Sequence, residues 1–151
     1  MNKLSFSLLI ILSVLLMSCK TSKDASQLST IPFEKAKGYF FKNNADLSGI
    51  TNNKISTQED FNKLFGSATL MGPTGKPTVI DFSKQYVIPV VKDEVDYPAE
   101  LTPISLSKEN DSLILKYRYK VQDQKKTFTS RPTFLIIVDK KYDGSVVLVE
   151  E

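Results

Sequence analysis

Histidine and tryptophan are missing from this 151-residue chain, and cysteine occurs once, at Cys19. Without an imidazole, a serine nucleophile has no histidine base and a zinc site would rest on carboxylates alone. A Ser/Lys pair such as Ser83 with Lys84 would have to substitute, yet neighbours on a strand or turn point apart. One cysteine allows no disulfide within the chain, so packing must supply the stability. Neither sign of charge dominates: 20 Lys and Arg stand against 17 Asp and Glu. That balance gives no footing for nucleic-acid binding. The apolar run near the N-terminus, "FSLLIILSVLLM" (Phe6–Met17), is shorter than the roughly 20 residues a bilayer-crossing helix requires.

That run instead fits the apolar region of a secretory leader, with Lys3 supplying the positive start. It closes on Leu16-Met17-Ser18-Cys19. A leucine at −3, a small residue at −1 and cysteine at +1 resemble the lipobox of bacterial lipoproteins. The resemblance implies that the Cys19 thiol takes a diacylglyceryl group, that the chain is cut before it, and that the new amine is acylated. Cys19 is thus expected to be a lipid attachment point. Each buried CH₂ contributes about 0.8 kcal/mol, one acyl chain binds marginally, and two or more anchor durably. Lys20, not Asp, follows the cysteine; by resemblance to enterobacterial sorting this favours the outer membrane of a Gram-negative cell.

Losing the leader removes Lys3 and leaves 19 basic against 17 acidic residues. Residues 1–18 are then the signal peptide, and 19–30 the lipidated cysteine and a flexible tether. "KTSKDASQLST" is polar, rich in Ser and Thr, and without apolar period. Residues 31–151 form a single globular domain, enough chain to bury one core.

Within that domain, Phe33–Asn43 reads as a first strand with Gly38 as a bulge. "ISTQEDFNKLFG" reads as a short amphipathic helix. Ser56 with Glu59, or Thr57 with Asp60, supplies a capping pattern; Phe61, Leu64 and Phe65 make the apolar stripe, and Gly66 the stop. "TVIDFSKQYVIPVV" is strand-rich, with a turn at Ser83–Lys84, and Pro89 places its strand at an edge or a bulge. "LTPISLS" and "SLILKYRYKV" form an antiparallel pair. Phe134–Val138, apolar at every position, is a central strand covered on both faces. "FLIIVD" and "SVVLVEE" are expected as a hairpin closed by an Asp-Gly turn. The fold class is α+β: mainly antiparallel β-sheet or a small sandwich, with one short helix.

Three stretches carry candidate chemistry. In "GPTGKPT", Gly75-Lys76 is similar to a phosphate loop, but Leu70 stands where a Walker glycine is required, Pro77 replaces the hydroxyl residue, and a β-type run follows instead of a helix. It reads as a tight surface loop in which Gly72 and Lys76 are candidate partner contacts. "KDEVDYPAE" gathers Asp93, Glu94, Asp96 and Glu100. Paired carboxylates serve glycoside chemistry or bind Ca²⁺, yet Val95 interrupts the ligand spacing and no glycine makes the turn. A solvated loop is the simpler reading, with Asp93, Glu94 and Asp96 as weak metal candidates. On "SLILKYRYKV", Leu113, Leu115, Tyr117, Tyr119 and Val121 share one face, and Lys116, Arg118 and Lys120 the other. The basic side is either an ordinary wet face or a stripe that docks an acidic partner or an anionic glycan, with Arg131 at its border.

"VIDFSKQYVIPVV" followed later by "TSRPTFLIIVDK" resembles the C-terminal domain of PrcB-like lipoproteins, accessory subunits of bacterial cell-surface protease complexes. Asp81, Phe82, Ser83 and Lys84 match the first element, and Pro132 and Lys140 the second. The likeness spans about half the mature chain, and its motifs are structural, so no catalytic residue is carried over. Family members commonly place a Gly/Thr-rich loop where this chain has "KDEVDYPAE", which puts a protease contact by that loop in doubt.

The expectation is therefore a lipid-anchored, non-enzymatic protein of the cell envelope that binds a protein partner as accessory or modulator of a surface protease, with no cofactor. The alternatives are a protease inhibitor presenting Met71–Pro77, Asp93–Ala99 and Arg131–Pro132, or a carboxylate-based hydrolase of envelope glycan. Glycan or lipid binding through Lys116, Arg118 and Lys120 is a third.

Overall fold

Residues 29–46, 48, 51–68 and 75–151 are described by a computed structural model. The leader, Cys19 and Gly72 lie outside them. The architecture follows from Thr133–Asp139 (β8), whose residues Phe134 to Val138 are all buried. A strand apolar at consecutive positions must be covered on both faces. Here Phe134, Ile136 and Val138 enter one core cluster, while Leu135 and Ile137 enter a second.

β8 is the centre of a three-stranded antiparallel sheet, between Glu34–Lys35 (β2) and Gln85–Val91 (β5). A four-stranded sheet runs in the order Ser29–Thr30 (β1), Ala99–Glu109 (β6), Ser112–Val121 (β7) and Ser145–Glu150 (β9). Its residues Leu101, Leu106, Leu113, Leu115, Tyr117 and Val146 share the first cluster with Tyr86, Ile88 and Val90 of β5. The second cluster lies on the other face of β5 and β8. There the helix Gln58–Leu64 (α1) and the small sheet of Tyr39–Phe41 (β3) with Phe65–Ser67 (β4) contribute Phe41, Phe61, Leu64 and Phe65. Each fully buried aliphatic or aromatic side chain contributes roughly 1.5–3 kcal/mol by the area it removes from water. The described residues are thus mainly antiparallel β-sheet with one short α-helix, the α+β class.

Local chemistry explains the details. Thr57 caps α1 by accepting from the Asp60 N–H at 3.1 Å and donating to its carboxylate at 2.8 Å, so the second of the two capping patterns is used. The helix ends at Leu64, because Phe65 turns extended and enters β4 directly. Gly66 therefore does not close the helix. It lies opposite Phe40, and a Cβ there would come within 2.4 Å of the Phe40 ring. Pro89 sits on a sheet edge, as its missing N–H requires. Val87, two residues earlier, turns its N–H outward to Ile55, so the position of like direction needs no ladder bond.

Four expectations are corrected. Phe33–Asn43 is two short strands in different sheets, and Gly38 (φ +76°) is where the chain passes between them. Ser29 and Thr30, assigned to the tether, pair with Lys108 and Ser107 and lead Ile31 into the core. Thr78–Asp81, expected as strand, lies outside any strand; the turn at Ser83–Lys84 stands as expected, with Asp81 accepting from the N–H and hydroxyl of Ser83, and β5 begins at Gln85. Finally, β8 and β9 are no hairpin. Both edges of β8 are occupied by β2 and β5, and β9 instead lies parallel to β7 in the other sheet. At Gly144 (φ +153°) a Cβ would lie 2.5 Å from the Asp111 carbonyl, which accepts from the Ser145 N–H.

Candidate functional site

The β6–β7 register places the basic stripe on the outer face of the four-stranded sheet. Leu113, Leu115 and Tyr117 are buried on the inner face, and Arg118 and Lys120 are exposed on the outer one. The stripe is not bare cation. Lys120 stands opposite Glu100 and Arg118 opposite Thr102, and Lys116 Nζ lies 2.7 Å from Glu151 Oε1. Lys116, with Arg118 behind it, holds the Glu151 carboxyl below the usual carboxylate range. Glu100, Thr102, Ile104, Arg118 and Lys120 enclose a shallow notch of about 90 Å³.

Arg131 does not border this surface. Its guanidinium carbon lies 5.5 Å from the Phe41 ring centre, in the helix-side cluster, and Nη2 donates to Glu94 at 3.2 Å.

The acidic loop is bound to the segment between β7 and β8. Asp96 pairs with Lys125 at 2.7 Å, its carbonyl accepts from the Lys126 N–H at 2.6 Å, and Val95 bridges Ser130. Lys125 holds the Asp96 carboxyl low. With Glu94 on Arg131, two of the three weak metal candidates face cations, while Asp93 is exposed. Among the described residues, no group of three or more His, Cys, Asp or Glu converges as a metal site would require. The stretch is a clasp between two loops.

Lys76 is exposed, and the segment after it is fastened to the strand region. Thr78 accepts from the Lys37 N–H through its hydroxyl and from the Tyr39 hydroxyl through its carbonyl.

Two polar arrangements escaped the sequence reading. Lys54, with only 13% of its side chain exposed, lies 2.6 Å from Asp143 Oδ1 and 4.9 Å from the Tyr86 ring centre. Burial pushes the Tyr86 phenol up, and its hydroxyl donates to the Tyr142 carbonyl. A cleft of about 700 Å³ between α1 and the segment before it shares Asn52 and Lys54 with a second of about 490 Å³ at the β6–β7 turn. The signal in sequence is slight: Asn52 and Asn53, both left-handed at φ 54°, belong to the residue type that tolerates that conformation. The second arrangement is Lys92, which pairs with Glu150 at 2.6 Å above the Tyr117 and Tyr119 rings. It joins residues 58 positions apart, which no local pattern announces.

Among the described residues, no helix is long and apolar enough to cross a membrane. No protein-family model, curated protein or solved structure matches the chain.

Proposed function

We propose that this protein is a lipid-anchored domain of the bacterial cell envelope, held at the outer membrane through Cys19, that binds a protein partner without catalysis of its own. The observation that carries the reading is the Leu16–Cys19 motif at the end of a charged and apolar leader. The polar stretch after it meets the folded body at Ser29, on the β1 edge of the four-stranded sheet. The ten residue-to-residue steps from Cys19 to Ser29 reach at most about 35 Å, which keeps the domain beside the bilayer. We read the two sheets that share the larger core as a small sandwich. The partner is a surface protease or its complex, a reading supported by the resemblance of the β5 and β8 regions to PrcB-like accessory lipoproteins. Binding is favoured over glycan hydrolysis because Glu94 and Asp96 face Arg131 and Lys125 instead of each other.

A second reading, protease inhibition, draws support from the clasp. Ion pairs and the Val95–Ser130 bridge brace both loops and present Phe128, 63% exposed, between their attachments at Lys126 and Ser130. A preordered loop loses little entropy on docking.

Photocrosslinking in intact cells tests the partner. A crosslinking residue replaces Lys76, Arg118 or Phe128 in turn. A discrete protein adduct from at least one position, absent when Cys19→Ser detaches the domain, supports the reading. No adduct from any of the three contradicts it. Purified protein added to a protease panel separates the inhibitor from the accessory subunit.

A further inference from the structure

Strand β9 forms one edge of the four-stranded sheet, and its backbone alternates in direction. The N–H groups of Ser145 and Glu151 donate to the β7 side, to Asp111 and Tyr117. By the two-residue period, Val147 and Val149 also face β7, and Val146, Leu148 and Glu150 face outward. The outward carbonyl of Val146 accepts from Asn53 Nδ2 at 3.3 Å. Among the described residues the N–H and C=O of Leu148 and Glu150 have no partner.

Natural sheets protect such an edge with lysine, proline, a bulge or an inward-pointing charge. β9 reads "SVVLVE", β-branched or leucine at four consecutive positions, with no proline and no lysine. Its register with β7 is continuous, without a bulge. Val147 remains 45% exposed on the outer face. The acids at this edge are neutralised from within the chain, Glu150 by Lys92 and Glu151 by Lys116. An edge with its negative charges already paired does not repel another like it.

We infer that the β9 edge pairs with the β9 edge of a second copy of this chain. The pairing is antiparallel and two-fold, joining two four-stranded sheets into one of eight strands. It uses the two residues that lack a backbone partner among the described ones, so Leu148 exchanges both backbone hydrogen bonds with the second copy's Glu150, and Glu150 with the second copy's Leu148. Val149 then faces its own equivalent as a non-hydrogen-bonded pair, Cα atoms about 4.5 Å apart. One self-complementary strand is sufficient, because a two-fold interface uses the same patch on both copies.

That register is tested by cysteine crosslinking of the full chain, solubilised in detergent under mild oxidation. A Val149→Cys substitution places two thiols within disulfide reach. Val147→Cys places them four residues out of register, about 13 Å apart, and the unsubstituted chain controls for Cys19. The expected result is that most of the Val149→Cys protein becomes a disulfide-linked dimer, while the other two stay monomeric. Amide exchange gives a readout without substitution. Leu148 and Glu150 should exchange at least tenfold faster on dilution, with Val147 and Val149 staying slow. Absence of the crosslink together with fast exchange of Leu148 and Glu150 at every concentration overturns the inference. So does protection independent of concentration without a crosslink, in which case the chain covers its own edge. Protection that arises only when envelope extract is added also overturns it, and assigns the edge to another protein's strand.

Discussion

Lys54 and Asp143 meet at 2.6 Å although 89 positions separate them, and their surroundings are unequal: 13% of the lysine side chain is exposed against 86% of the aspartate. The alkyl stem of Lys54 is packed, and its ammonium lies over the Tyr86 ring. Long cationic side chains stabilise through such stems as well as through charge. Lys54→Met, which keeps the stem, should cost about 1 kcal/mol, the range of a partly exposed ion pair with a cation–π contact. Lys54→Ala, which also empties the stem's space, should cost about 2 kcal/mol. Urea unfolding of the two variants separates the contributions; equal losses would show that the stem adds nothing.

Gly66 and Phe40 form a coupled pair. Because the Phe40 ring lies across Gly66 in the β3–β4 pairing, Gly66→Ala should destabilise by about 1 kcal/mol, the scale of coupling between residues in contact. In a Phe40→Ala background the same substitution should be neutral or slightly stabilising, since a Cβ suits a strand better than a hydrogen. A double-mutant cycle measures the coupling, and additive losses would refute the contact.

Both faces of β8 should be costly to empty. Leu135 and Ile136 are equally buried, in different clusters. Truncation of each to alanine should cost about 3 kcal/mol. If either substitution cost less than about 1 kcal/mol by urea unfolding, its face would not be a packed core.

Acid should weaken the folded state modestly through its paired, largely exposed carboxylates. Asp143 is held low by Lys54, Asp96 by Lys125, Glu150 by Lys92 and Glu151 by Lys116. A carboxyl whose folded pKa is depressed contributes stability that is complete above its unfolded value, near pH 4, and lost as pH falls through the lower folded value. The urea midpoint should therefore be level from pH 7 to about 5 and decline below pH 4. A midpoint unchanged down to pH 3 would mean that these pairs add nothing to the folded state.

The legible parts of the fold were those with local or periodic causes. Phe61 and Leu64 fell at helical spacing after a capping threonine, Phe134–Val138 announced a strand covered twice, and the alternation in Leu113–Lys120 assigned both faces of β7. The hairpin expected of β8 and β9 fails because an Asp-Gly pair between two apolar runs carries the local signal of a hairpin whichever strand β9 pairs with. Occupation of both β8 edges by β2 and β5 is a long-range fact with no local trace. The expected place of Arg131 fails for a related reason: strand alternation gives a face within one sheet and does not say how the next sheet lies. The Lys54 and Lys92 pairs were invisible in sequence because each is made across tens of residues by tertiary packing.

The most direct test of an envelope-anchored binding domain is the intact mass of the protein extracted from cell membranes. The expected species begins at Cys19 and carries a diacylglyceryl thioether and an N-acyl chain, with residues 1–18 absent. A chain that retains those residues, or one whose Cys19 thiol is free, would contradict lipid anchorage and the envelope partner inferred from it.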